Sequence, residues 1–415
     1  MPRSFLRAVA LGAVVVAGAC KTDGTSPTGT PITINWSPCI GDPNAPAWFA
    51  FQDGSGSWTK VASTNGVFTF TVSSGTVGVA TYANGELGIL YATTDEMNAV
   101  RPACTGSRRT VTGTVIGYAS SDQVDIEMDQ GGATISGTTS APASFQLSNV
   151  APGAVDVLAV RSRATVIPTF QKTPSAVFIR RAQSSSPLAA IDLNSTVESG
   201  APVAKTVTVT GPASNETLSA QSTLNTSTSS ILMWLYSASL GVVTGGVPLS
   251  FYGLPGTRLS TGDKQQLLVG STKTLSGNSS ETRVAATIFT DATDQAVTLG
   301  AALGTVTVVG TSRPSASFVI QAGYDQLFQF NLDQGSGATS RSIQVLKTRA
   351  YAGTSATAVT LLVPDLTGVS GFLPAWLLTT GTTATWTLEA SNEAITSLGG
   401  PAAFTAASRT AAFTP

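Results

Sequence analysis

Histidine is missing from all 415 residues. That removes Ser-His-Asp and Cys-His nucleophile systems, the commonest zinc ligand and the side chain that titrates nearest neutrality. Charge is scarce as well: charged residues make up 11% of the chain and the formal net charge is −1, so there is no electrostatic footprint for nucleic acid. Cysteine occurs three times, as Cys20, Cys39 and Cys104. An enzyme built from this inventory would need a carboxylate pair, a lysine base or a carboxylate-bound hard metal. What remains is dominated by Ser, Thr, Gly, Ala and Val, a composition that favours strands and turns over helices.

The N-terminus carries an address. Arg3 and Arg7 precede an uncharged run from Ala8 to Ala19, long enough for the core of a signal peptide and too short to span a bilayer. It closes on Ala17-Gly18-Ala19-Cys20. This pattern resembles the lipobox of bacterial lipoproteins, although that family favours Leu at the place of Ala17. The resemblance implies cleavage before Cys20, acylation of Cys20 and a lasting membrane anchor. Ordinary secretion with cleavage nearby is the competing reading. Lys21, in place of the Asp that retains such proteins at the inner membrane, implies the outer membrane. No later stretch is apolar enough for a second span. Residues 21–31, polar and rich in Thr, Gly and Pro, read as a flexible tether.

The expected architecture is all-β: serial small β-sandwich domains, Ig-like or transthyretin-like. Residues 32–106 read as a first β domain, with hairpin signals at Asn65-Gly66 and Asn84-Gly85 and one short helix from Thr94 to Val100 with Thr94 as N-cap. In an exported chain, Cys39 and Cys104 suggest a disulfide closing a loop of about 65 residues, worth roughly 4 kcal/mol in the chain-entropy model. Two separate buried thiols are the alternative.

Residues 107–200 form the next unit. Val124, Ile126 and Met128 alternate with Asp125, Glu127 and Asp129, one face toward a core and one toward solvent. Val111-x-Gly113-x-Val115 and the later run from Phe145 to the Pro152-Gly153 turn resemble the carboxypeptidase regulatory-like domain. The usual Asp-Gly before the Phe is replaced by Ala143-Ser144. The resemblance covers about 90 residues and implies a transthyretin-like sandwich that acts as an accessory module without catalysis. Residues 201–303 and 304–415 continue the strand pattern as two further sandwiches or one intertwined domain. Ile231 to Tyr236 reads as a strand buried on both faces, and Leu373 to Leu378 could include a helical turn.

Three features invite chemistry. Ser57-x-x-Lys60 has the spacing of penicillin-recognising enzymes, but it enters a strand, where the two side chains point to opposite faces. Asp122, Asp125, Glu127 and Asp129 offer oxygen ligands, yet the last three are strung along a strand and do not converge, so no metal or cofactor is expected. Trp36, Trp48, Trp58, Trp376 and Trp386 are candidate rings for stacking a sugar. Each is read first as core filler, and Trp234, Tyr236, Phe251 and Tyr252 raise the same question. The leading expectation is a lipid-anchored, non-catalytic scaffold or binding module of the outer membrane, with a glycan, a peptide or an envelope protein as partner. A carboxylate-dependent hydrolase such as a glycosidase, and an assembly subunit of an outer-membrane complex, are the alternatives.

Overall fold

A computed structural model describes residues 29–37, 45–100, 108–129, 131–136, 141–165, 171–213, 215–228, 233–242, 248–337, 340–395 and 402–415, with backbone alone for 164–165 and 233–242. The architecture is all-β and multi-sheet. The first unit contributes β1 (Thr30–Asn35), β2 (Trp48–Asp53), β3 (Trp58–Lys60), β4 (Val67–Val72), β5 (Thr76–Ala83), β6 (Glu86–Thr93) and the helix α1 (Thr94–Ala99). The second contains β7 (Arg109–Ile116), β8 (Gln123–Met128), β9 (Gly131–Ile135), β10 (Ala143–Val150), β11 (Val155–Thr165), β12 (Gln171–Gln183), β13 (Ile191–Asp192) and β14 (Ser199–Gly200). The third has β15 (Val203–Thr210), β16 (Thr217–Asn225), β17 (Met233–Val242), β18 (Pro248–Gly253), β19 (Lys264–Thr274), β20 (Ser280–Phe289) and β21 (Gln295–Thr298). The last has β22 (Val306–Val309), β23 (Ser315–Val319), β24 (Leu327–Gln334), β25 (Arg341–Thr348), α2 (Arg349–Ala352), β26 (Ala358–Leu362), β27 (Ala384–Ser391) and β28 (Phe404–Phe413).

Seventeen of these strands belong to one hydrogen-bonded sheet. Its pairings run β9-β8-β11-β12-β17-β16-β19-β20-β28-β27-β24-β25-β6-β5-β2-β3, with β14 on the β17 edge of β12. The spatial order of the units is therefore second, third, fourth, first. The N-terminal unit closes against the last one through the parallel pairing of β6 with β25, residues 86–91 beside 342–347. A small sheet adds a second layer to each unit: β1-β4, β10-β7-β13, β18-β15-β21 and β22-β23-β26.

Side-chain alternation decides which layer packs where. Ala285 of β20 belongs to the core under β18-β15-β21, and Leu388, Ala390 and Ala407 belong to the core under β22-β23-β26. The register Arg283↔Ala407↔Ala390 puts all of these on one face of the long sheet. The β1-β4 pair packs on the opposite face, where Phe49, Val77, Val79 and Ala92 meet Ile32, Ile34, Phe68 and Phe70. On the other side of the same strands, Trp48, Ala50, Ala80, Leu87 and Ile89 join the core of the last unit. Strands β2, β5 and β6 are thus the middle layer of three, which is why they read as nearly continuous apolar runs.

The Asn84-Gly85 hairpin joins β5 to β6, with φ of +48° and +82°, and Asn65-Gly66, with φ of +51° and +77°, makes a turn closed by the single bridge of Thr64 with Val67. These positive values are what a type I′ turn requires, and Asn and Gly tolerate them best. The short helix is present, but its N-cap is Thr93 and not Thr94. Thr93 Oγ1 accepts from Glu96 N–H at 3.3 Å and the Glu96 carboxylate accepts from Thr93 N–H at 2.9 Å, a complete capping box. Glu96 also accepts from Thr348 Oγ1 at 2.7 Å, tying the helix to the last unit. The turn expected within 373–378 is a 3₁₀ turn at Pro374–Trp376. Cys20, Cys39 and Cys104 lie outside the described residues.

Candidate functional site

Four of the five candidate rings are engaged in packing. Trp48 is 4% exposed; it meets Phe372 and Trp376 edge-on at 5.7 and 5.6 Å and donates from Nε1 to Ser370 O at 3.1 Å. Trp376 lies flat on Tyr82, ring centroids 4.0 Å apart and 8° from parallel. This cluster clamps the segment after β26 onto β2 and β5, so Trp48 has no free face for a ligand. Trp58 is half-buried edge-on to Tyr91 at 6.3 Å. Trp36 is half-buried against the first unit's core. Of the further aromatics, Phe251 is fully buried beside Phe289, and Tyr252 is half-buried. The side chains of Trp234 and Tyr236 lie outside the described residues.

Trp386 differs. It belongs to the core-facing series Ala384, Trp386, Leu388, Ala390 on β27 and packs, half-buried, against the last unit's core. It also lines an open groove of about 350 Å³ together with Arg409, Thr410 and Ala411 of β28, Val306 of β22 and the β19–β20 hairpin tip. The tip is rigid by construction. Gly277 and Asn278 take φ of +69° and +56°, Leu275 N–H donates to Ser279 O at 2.8 Å, and Ser279 Oγ donates to Ser276 O at 2.5 Å. Ser276 and Ser279 of this tip line the groove, whereas Ser280, in register with Thr410, faces the other side of the sheet. Arg409 is held by Glu281 across the β20–β28 pair, with Nε and Nη2 at 2.9 and 2.8 Å from Oε1. The groove thus combines an aromatic side, a serine-bearing hairpin tip and one neutralised guanidinium. A second cleft of about 360 Å³, at Asp122, Arg163, Thr173, Pro174 and Ser175, has no aromatic ring.

The acidic series of the second unit goes separate ways. Asp122 accepts from Ala119 N–H at 2.9 Å and pairs with Arg163 at 3.1 Å. Asp125 pairs with Lys172 of β12, which reaches across β11, and accepts from Gln123 and Thr134. Glu127 is half-buried beside them; burial, reinforced by the Asp125 charge, pushes its carboxyl up to about 7 against the pull of Lys172. Asp129 departs from the expected solvent face. Its φ of +52° turns it off the strand, and its carboxylate is buried, accepting from Arg108 at 3.2 Å and from Ala151 N–H at 3.0 Å. That strand face is half-covered where the alternation assigned it to solvent. Among the described residues no group of three or more Cys, Asp or Glu is disposed to hold a metal ion. Lys60 follows Ser57 into β3, in strand and not helix geometry.

One carboxylate pair escaped the sequence reading. Glu389 of β27 and Glu393 just beyond it both have their carboxyls raised to about 7 by burial, and for Glu389 the neighbouring Glu393 charge adds to the effect. Their four-residue spacing was the available signal, but it suggests proximity only in a helix. Glu389 stands three residues from Trp386 and so faces the other side of the sheet. In register beside it are Gln329 and Ser408. The acids and the groove's ring do not share a cleft.

Together these features define an all-β, multi-sheet protein with, among the described residues, a small groove bordered by Trp386 between its last two units. Neither a protein-family model nor a curated protein matches the chain.

Proposed function

We propose that this protein is a lipid-anchored scaffold of the bacterial cell envelope that holds a ligand, and that the Trp386 groove is where it does so. The single observation that carries the binding part is that Trp386 lines a cleft together with an ion-paired arginine and a serine-bearing hairpin tip. The anchoring part rests on Arg3, Arg7, the uncharged run and Cys20, with Lys21 favouring the outer membrane. A disulfide between Cys39 and Cys104 and the accessory role implied for residues 107–200 belong to the same proposal. The long shared sheet supports a scaffold, since it joins all four units through backbone hydrogen bonds.

The test is a pull-down with purified envelope fractions and a glycan panel, with the native and Trp386→Ala chains side by side. Retention by the native chain and loss in the variant support the reading; no retention by either leaves only a structural role. Mass spectrometry of the mature N-terminal peptide addresses the anchor: an acylated Cys20 is expected, and an unmodified start would overturn it.

A carboxylate-dependent hydrolase is the second reading, favoured by the Glu389 and Glu393 pair. A carboxyl that stays partly protonated at neutral pH is suited to general acid catalysis. Their place on the face away from Trp386 weighs against a glycosidase cleft. Glycoside hydrolysis that disappears in Glu389→Gln would restore this reading.

A further inference from the structure

We infer that the Trp386 groove takes an uncharged saccharide and reads two neighbouring hydroxyls through Arg409. This rests on the groove being the ligand site and goes further, to the class of ligand.

The charge balance points to neutrality. Among the described residues Arg409 is the only charged one lining the groove, and Glu281 already occupies Nε and Nη2 at 2.9 and 2.8 Å. An anionic ligand would have to share that guanidinium with a carboxylate in contact, and like charges at such range repel. A cationic ligand would have to approach Arg409 itself. An uncharged polar ligand meets neither penalty.

The hydrogen-bonding groups point to a polyol. A guanidinium carries five N–H donors in a fixed plane, of which the Glu281 pair uses two, leaving Nη1 and the outer Nη2 hydrogen. Among the described residues these have no partner. Side-by-side donors match two oxygens on adjacent carbons, the arrangement of a vicinal diol. The rim is formed by the β19–β20 tip, where the Ser276 hydroxyl can both donate and accept, as a sugar hydroxyl does; Ser280 and Thr410 border the groove but belong to the opposite face of the sheet, where Thr410 Oγ1 lies 2.9 Å from Thr387 Oγ1.

The apolar groups point to a ring with one C–H face. Trp386 is half-buried against the core, and Val306 stands on the opposite strand layer. Sugar rings present C–H groups on one face and hydroxyls at the edge, so one face can lie on the indole while the edge meets Arg409. A volume of about 350 Å³ is at the small end of ligand sites, suited to a short oligosaccharide segment.

Calorimetric titration of the purified chain tests this, with a neutral hexose trisaccharide, the matching uronic acid trisaccharide, a singly deoxygenated neutral analogue lacking one of two adjacent hydroxyls, and an uncharged tripeptide as probes. The neutral trisaccharide should bind, with the uronate and the deoxy analogue each about tenfold weaker. Trp386→Ala should lose about tenfold toward the neutral probe, the loss expected for one aromatic contact, and Trp386→Phe should retain most of it. Glu281→Gln should tighten the uronate, because the Arg409 charge is then uncompensated. Uronate binding equal to neutral binding, still dependent on Trp386, would overturn the ligand class while leaving the groove as the site. Saccharide binding that ignores Trp386, or a tripeptide that binds in place of the sugar, would overturn the inference. Unchanged circular dichroism of the variants keeps these outcomes separate from misfolding.

Discussion

Arg181→Met should cost far more than its position suggests. Arg181 joins two buried carboxylates from different units: Asp156 of β11, 2.8 Å from Nη1, and Asp263 before β19, 2.6 Å from Nη2. Their side chains are 2% and 0% exposed. Asp263 also accepts from the N–H groups of Ser227 and Ser260 at 3.1 and 2.8 Å, fixing the turn that begins β19. Burial opposes the charge on Asp156, but hydrogen bonds from Ala182 N–H, Arg181, Thr228 and Thr226 outweigh it and hold the carboxyl below its ordinary value. Methionine keeps most of the apolar volume and removes the positive charge. Two buried carboxylates are then left without their counter-ion, and breaking a buried pair in this way typically costs about 3 to 5 kcal/mol. Around them, Leu158, Val160, Val177 and Ile179 pack on Leu224 and Leu254, so the loss falls on the junction between the second and third units. Urea unfolding followed by tryptophan fluorescence at pH 7 should show a matching fall in midpoint at an unchanged slope. Removing one acid as well, Arg181→Met with Asp263→Asn, should recover part of it, because one unpaired charge disappears. A single-variant cost below about 1 kcal/mol would refute the reasoning, since that is the worth of a solvent-screened pair.

Two further outcomes follow from the same structure. Glu389 and Glu393 have carboxyls raised from 4.5 to about 7, so the folded chain binds more protons than the unfolded chain between those values, and stability falls as pH rises through that window. Glu389→Gln should flatten the decline and gain at pH 8, with a ceiling of about 3 kcal/mol and little change at pH 4; an identical pH profile in melting experiments would count against a half-buried acid pair. Trp48→Ala empties the centre of the cluster with Phe372 and Trp376 and should cost about 3 to 5 kcal/mol, with protease cleavage appearing first in the segment after β26. Equal protection of that segment in variant and native chains would contradict the clamp.

Local signals carried well into the fold. The alternation in Gln123–Met128 became a strand with Val124, Ile126 and Met128 fully buried, and the Asn-Gly turns took the backbone angles their composition favours. Long-range pairing was not legible. Nothing near Leu87 or Ile343 announces that they are neighbours in parallel strands, because any apolar strand edge offers the same backbone groups. Hence a shared sheet was hidden behind what reads as a series of sandwiches. The continuous apolar runs in β2 and β5 were the available clue to a middle layer, and they look the same as ordinary buried strands. At the site, ring identity was readable and ring environment was not. Trp48 and Trp386 both sit in strand-like stretches of the sequence, yet one is enclosed by Phe372 and Trp376 and the other borders a groove. The burial of Glu389 was not legible because the strands beside it, β24 and β28, come from elsewhere in the chain. The φ of Asp129 ended a face that alternation alone would have continued.

The groove can be tested at a single atom. The chain has six tryptophans and so six indole N–H resonances, of which Trp386→Phe identifies one. Titrating the native protein with a neutral oligosaccharide while recording ¹H–¹⁵N spectra should shift the Trp386 indole signal saturably and leave that of Trp48 in place. A saturable shift confined to other indoles, or no shift at any saccharide concentration, would contradict a ligand site at Trp386.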